Sequence, residues 1–247
     1  MPAHSDLDIR MKGYEVVPQI KLIRRMPVIM RIDGRAFHTF LSHFEAPFDD
    51  IFINAMQQTA LHLCKNVMNC VLAYTQSDEI SLLLVDYKDF KTQPWFDNRV
   101  QKLCSLSASL ATLEFFKQLR MVEDKGETYR AAFEVGAMFD SRCWNLPKEE
   151  VTNYFYSRQI DASRNSVQMV GHAYFSDKQL HKKSTSAIQD MLHEEYGINW
   201  NDFPTYKKRG SCVIKVQEEG MPHGVWKVDK NIPMFKGDGR EYVERLI

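Results

Sequence analysis

Two short apolar runs separated by five polar residues do most to limit what this chain can fold into. Val71-Leu72-Ala73-Tyr74 and Ile80-Ser81-Leu82-Leu83-Leu84-Val85 flank Thr75-Gln76-Ser77-Asp78-Glu79. Aliphatic and aromatic residues in runs this short suit a buried strand, and a brief polar link between two such runs signals a β-hairpin. A hairpin alone is not stable in water, so further strands are required. Upstream, Pro27 opens Val28-Ile29-Met30, a strand that leads into Arg31-Ile32-Asp33-Gly34-Arg35. Downstream, Phe133-Glu134-Val135-Gly136-Ala137-Met138 reads as a fourth strand.

Helices separate these strands. Ile51, Ala55, Met56, Leu63 and Val67 recur at helical spacing, with Asp49 or Asp50 suited to cap the first turn. Residues 97–120 carry Val100, Leu103, Leu106 and Leu110 on one face. The order is therefore strand, helix, strand, strand, helix, strand, the βαββαβ pattern of a ferredoxin-like α+β fold. First and third strands are neighbours in many such sheets, which would bring Asp33 and Asp78 to adjacent strand ends. The remainder reads as a long helix after Pro147, a helix over 184–196 closed by Gly197, a C-terminal β-hairpin (213–216 with 225–228) and a short final helix. A short helix before Pro18 carries Leu7, Met11 and Tyr14 on one face. The expected organisation is a catalytic core over 1–140, with 141–247 packed on it as an extension.

At 247 residues, with 44% hydrophobic and 26% charged side chains, the composition is that of an ordinary globular protein. No apolar run approaches a membrane span, and the N-terminus lacks signal-peptide character. The five scattered cysteines contain no CxxC pair, so buried thiols in a reducing cytoplasm are expected. Lys+Arg and Asp+Glu balance at 32 each, which argues against a uniformly basic nucleic-acid coat. Local basic clusters remain: Arg24-Arg25, Lys182-Lys183 and Lys207-Lys208-Arg209.

A charged residue at the mouth of a buried strand is costly unless something pairs with it. For Asp33 that partner is either Arg31 or Arg35, or a metal ion, and the stretch alone does not choose. Paired with Asp78 and Glu79 it has the right chemistry for two-metal nucleotidyl transfer, in which carboxylates converge on divalent ions roughly 4 Å apart. Gly34 offers a backbone carbonyl and a close approach for phosphates. The N–H groups of Arg35, Ala36, Phe37 and His38 offer a cradle for a triphosphate.

These residues, taken jointly, resemble the tRNA(His) guanylyltransferase family. The resemblance rests on 28–38 and Ser77-Asp78-Glu79. It continues through Phe139-Asp140-Ser141-Arg142, Arg158-Gln159-Ile160-Asp161, Asn201-Asp202-Phe203-Pro204 and Lys208-Arg209-Gly210-Ser211-Cys212. It spans roughly residues 8–216. It implies a polymerase palm run in reverse, adding nucleotides to the 5′ end of tRNA in the 3′-to-5′ direction. ATP first activates a 5′-monophosphate, and the 3′-hydroxyl of an incoming nucleotide then displaces AMP. By the same resemblance, two Mg²⁺ ions are held by Asp33, the Gly34 carbonyl and Asp78, with Glu79 assisting. Arg31, Ser77, Arg99 and Lys102 are implied nucleotide or phosphate contacts, and Asp49 a base contact. Arg99 and Lys102 read equally as a solvated helix face, and Asp49 as a helix cap. Arg158, Arg164, Asn165, Lys182, Lys183, Lys207, Lys208 and Arg209 are candidate tRNA contacts, and the family's common assembly is a homotetramer.

Two departures from the family pattern matter. The run after Arg158–Asp161 reads Ser163-Arg164-Asn165-Ser166, where enzymes adding the histidine-identity guanylate carry His-Ile-Asn-Asn. This resembles the guanylyltransferase-like branch, which implies template-dependent repair of 5′-truncated tRNA using ATP, GTP and other NTPs. Ala46 stands where the family often has Lys, leaving Arg24 or Arg25 as a substitute phosphate contact. Two other readings fit the pattern less well. A palm-domain nucleotide cyclase leaves the C-terminal motifs unexplained. A non-catalytic RNA-binding module would expose aromatic residues on its strands, where this chain carries aliphatics.

Overall fold

A computed structural model describes residues 5–42 and 44–247, apart from the side chain at 222. Six strands form one sheet: β1 Val28–Arg35, β2 Cys70–Gln76, β3 Glu79–Leu84, β4 Met138–Asn145, β5 Ser211–Glu218 and β6 Met221–Asp229. Their order is β4-β1-β3-β2-β5-β6, with every neighbouring pair antiparallel. The first four strands reproduce the expected ferredoxin-like core, with β1 beside β3. The C-terminal hairpin extends the sheet from the β2 edge.

The helices are α1 Asp6–Val16, α2 Phe37–Phe40, α3 Asp50–Asn66, α4 Val100–Arg120, α5 Glu127–Val135, α6 Lys148–Tyr174, α7 Asp177–Leu180, α8 Thr185–Tyr196, α9 Thr205–Arg209 and α10 Glu241–Glu244. On one face of the sheet, α3 and α4 cover Val28, Met30, Ile32, Ile80 and Leu82. On the other, Val151 and Phe155 of α6, with Phe235 and Val243 of the C-terminal segment, cover Ile29, Leu72, Tyr74 and Leu83. The period-2 alternation of a strand explains the split. It also sets the orientation of the site, because Arg31 and Asp33 continue the face that Ile29 begins.

One strand differs from expectation. Residues 133–135 close helix α5, and the fourth strand starts only at Met138. Within α5, Ala132 is buried and the Phe133 ring stacks on Phe116 at 4.6 Å, an anchoring by helical rather than alternate spacing. Gly136, at φ 70°, ends the helix. The true strand escapes a hydrophobicity reading because it is an edge strand with one polar face: Phe139 is buried while Asp140 and Arg142 are exposed. It also runs through residue 140, so the expected core boundary falls inside a strand.

The segment between β1 and α3 contains α2. Its aromatic residues pack inward: Phe37 lies within 5.0–6.1 Å of the rings of Phe40, Phe52, Phe115 and Phe139. Among the described residues, no helix is long and apolar enough to cross a membrane.

Candidate active site

The β2–β3 hairpin turns on two residues, Ser77 and Asp78, with Ser77 held at φ 48°. The Gly34 N–H donates to the Asp78 carbonyl at 3.1 Å, tying this turn to the end of β1. In register, Asp33 lies opposite Glu79 of β3 on one side and Asp140 of β4 on the other. Three strands thus place one carboxylate each on a single rung. The next rung pairs Arg31 with Arg142. Like charges face each other across strands and opposite charges meet between rungs: an Arg142 Nη atom on the diagonal lies 3.2 Å from Asp33 Oδ2, and Arg31 Nε, on the same strand, lies 3.4 Å from it.

The electrostatics are those of a crowded acidic site. Burial raises the Asp33 carboxyl above the usual carboxylate range. Glu79 and Asp140 push it further, while Arg31 and Arg142 oppose. Burial likewise raises Asp78, with its own backbone amide and the Ser77 hydroxyl opposing and Asp33 and Glu79 reinforcing. Two desolvated, mutually repelling carboxylates are suited to a hard divalent cation, since Mg²⁺ takes one or two carboxylates and completes its shell with water and phosphate oxygens. Among the described residues no three His, Cys, Asp or Glu side chains are grouped to hold a metal unaided.

Glu79 is otherwise engaged. It is 4% exposed, and its carboxylate is gripped bidentately by Arg158 of α6, Nε to Oε1 at 2.8 Å and Nη2 to Oε2 at 2.5 Å. It also accepts from the Ser81 hydroxyl at 3.1 Å. Arg158 also binds Asp161 at 2.6 Å. Glu79, expected to assist the metal site, and Arg158, expected to contact tRNA, are thus engaged with each other, and the pair braces the hairpin from beneath.

Beside Ser77 lies a cavity of about 640 Å³, lined by His38, Ala46, Asp49, Gln57, Ser77 and Asn165 among others. This is within the range of small-molecule sites and ample for a nucleoside. Asp49 forms part of its wall, but its oxygens are taken. Oδ1 caps α3 by accepting from the Phe52 N–H at 2.8 Å, and Oδ2 accepts from the Tyr129 hydroxyl at 2.8 Å. That hydroxyl is pushed up to about 12, by burial first and Asp49 second.

The remaining expected residues separate into groups. Arg35, at the end of β1, and His38 of α2 are exposed; Ala36 between them adopts φ 56°, and Phe37 contributes its ring to the core. Arg164, Lys182 and Lys183 are exposed. Lys207 is instead paired with Asp50 at 2.8 Å, and Lys208 is buried, with Nζ on the Asn201 carbonyl and above the Trp200 ring. The Arg209 guanidinium lies over the same ring and its carbonyl accepts from Tyr74. These contacts hold α9 in place, and of the three expected tRNA contacts Lys208 is buried while Lys207 and Arg209 are partly exposed. Arg99 and Lys102 open α4 at the far end of the sheet. The pairing of Ser107 with Ser141 and Cys104 with Cys143 runs α4 along β4, away from Asp140. From Asp33 to Val28 at that end is about 17 Å of strand, so neither cation reaches the carboxylates of its own chain. The same holds for Arg24 and Arg25 as replacements for a Lys at position 46. Sequence reasoning placed Arg142 in the 139–142 motif but gave it no role; the structure sets it against Asp33.

A palm-like α+β sheet, with acidic side chains at the ends of its central strands and a nucleoside-sized cavity beside them, defines a nucleotide-handling enzyme of the palm class. The chain belongs to the tRNAHis guanylyltransferase family, whose model matches residues 8–147. It is similar to a bacterial tRNA(His) guanylyltransferase-like protein solved in complex with ATP: 43% identity, TM-score 0.88, covering 98% of this chain and 99% of that one. A bacterial structure in complex with GTP gives 41% identity and a TM-score of 0.83 over the same shares. The tRNA(His) guanylyltransferase of Saccharomyces cerevisiae is 27% identical over 212 residues, 77% of this chain and 83% of the yeast protein.

Proposed function

We propose that this protein is a Mg²⁺-dependent nucleotidyltransferase that adds nucleotides in the 3′-to-5′ direction to the 5′ end of tRNA, repairing truncated ends against a template base. The observation that carries the reading is the closeness of Asp33 and Asp78, next to Ser77 in the wall of a nucleoside-sized cavity. The bacterial relatives' complexes with ATP and GTP support nucleotides as the occupants.

In this reading Asp33, Asp78 and the Gly34 carbonyl hold Mg²⁺. Bound there, the metal would neutralise the triphosphate and the oxygen charge developing in transfer. The cavity takes the nucleoside, with Asn165 and the wall around Asp49 beside it. Ser77, His38 and the loop 35–38 face the phosphates. Arg31 and Arg142 balance the carboxylates before substrate arrives. In the first step the tRNA 5′-phosphate attacks the α-phosphorus of ATP and pyrophosphate leaves. In the second, the 3′-hydroxyl of the incoming nucleotide attacks the adenylylated end and AMP leaves. Arg164, Lys182 and Lys183 provide phosphate contacts for tRNA, in a cytoplasmic homotetramer.

The test is to incubate the protein with Mg²⁺, ATP, each NTP and a 5′-truncated tRNA, then map the 5′ end. Extension only opposite a pairing base is expected. Equal addition opposite non-pairing bases would overturn templating, and full activity of Asp33→Ala or Asp78→Ala would overturn the metal assignment.

A further inference from the structure

The end of the sheet remote from Asp33 is basic and carries an aromatic ring in solvent. Segments 21–25, 86–91 and 97–102 meet there. Lys21 pairs with Arg99 through the backbone. The Arg25 N–H donates to Asp86 at 3.0 Å, and its guanidinium lies 4.7 Å from the centre of the Phe90 ring. These segments hold seven Lys and Arg against three Asp, in a chain whose charges balance as a whole. All three carboxylates are engaged within the cluster. Asp86 is buried beneath Arg25, Asp89 accepts from the Lys91 N–H at 2.8 Å, and Asp97 pairs with Lys21 at 2.5 Å and Arg24 at 3.5 Å. Lys88, Lys91 and Lys102 are exposed and have no ion-pair partner among the described residues.

Phe90 is 90% exposed. A ring with a cation over one face offers its other face for stacking, and cations flanking such a ring are the recurring arrangement for unpaired nucleotides. We infer that this end of the sheet is a second RNA-facing surface. It grips phosphates with Arg24, Lys88, Lys91 and Lys102 and stacks an unpaired base on Phe90. The inference rests on the tRNA reading above. About 17 Å of strand separates the surface from the carboxylates, so the RNA it holds is remote from the 5′ end being extended. It supplies affinity for the body of tRNA rather than chemistry. An acidic protein would use the cations and leave the ring idle.

The test uses the full chain and two variants confined to the exposed loop, Phe90→Ala and Lys88→Glu/Lys91→Glu, with melting curves to verify folding. The readouts are tRNA affinity across a salt series, ATP affinity, and addition to full-length truncated tRNA and to an acceptor-stem minihelix. Phe90→Ala is expected to weaken tRNA binding about tenfold, the scale of one lost stacked base. The double charge reversal is expected to lower the slope of log K against log salt by about 1 to 2. ATP affinity and minihelix extension should not change. Wild-type tRNA affinity and salt slope in both variants would overturn the surface. Weakening by the charge reversal alone would overturn base stacking. Failure of the wild type to extend any tRNA would overturn the underlying reading instead.

Discussion

Gly34 answers to a neighbouring ring. A Cβ at this position would lie 2.2 Å from Cδ2 of Phe37, the ring at the centre of the aromatic cluster beneath the loop. Gly34→Ala is therefore expected to displace Phe37 at a cost of about 1–3 kcal/mol of overpacking. A thermal melt should show the loss, and nucleotide addition should fall with it because Asp33 precedes the displaced turn. Asp78 poses the opposite case. Its carboxyl is raised, by burial first, so the folded chain holds its proton more tightly than the unfolded chain. The stability linked to that proton is present at acid pH and is lost as pH rises through the raised value. Asp78→Asn should thus make the metal-free protein at least as stable as wild type at neutral pH while abolishing addition. Calorimetry in EDTA checks the first expectation. Mg²⁺ should also bind more weakly as pH falls toward the raised carboxylate values, since metal and proton compete for the same oxygens.

At the scale of elements, α6 governs the hairpin through one ion pair. Removing one partner of a buried pair leaves an uncompensated charge, so Arg158→Met is expected to destabilise by about 3–5 kcal/mol. The double variant Glu79→Leu/Arg158→Met should recover much of that stability. If the pair positions Asp78, the double variant melts near wild type yet adds nucleotides poorly; full activity would assign the pair a purely structural role. Denaturant titration with an addition assay separates the two. The hairpin beside this site was legible in the sequence because the apolar runs flanking 75–79 are local signals, whereas the place of β1 beside β3 followed only from the ferredoxin-like pattern. The Glu79–Arg158 pair was not legible, since its partners lie 79 residues apart and each was read separately, one as an aid to the metal site and the other as a tRNA contact. Asp49 shows the same limit: its cap to Phe52 was readable three residues away, while its bond from Tyr129 was not. The polar face of β4 hid both the strand and the role of Arg142.

For the whole molecule, the sheet needs both of its covers. A chain cut after residue 145 would lose α6 and the C-terminal segment and expose Ile29, Leu72, Tyr74 and Leu83 together. We expect that fragment to bind ANS and to lack a cooperative melt, which would make 141–247 part of the fold rather than a detachable module. The carboxylate rung has a consequence for how the protein is handled. Asp33, Glu79 and Asp140 stand side by side only in the native pairing, and a slip of one residue would send an acid through the sheet into the apolar layer under α3 and α4. Nucleotide addition therefore serves as a gauge of strand alignment. In refolded or heated samples, the active fraction counts the molecules whose three strands have found their proper neighbours, even where circular dichroism reports the same sheet content throughout.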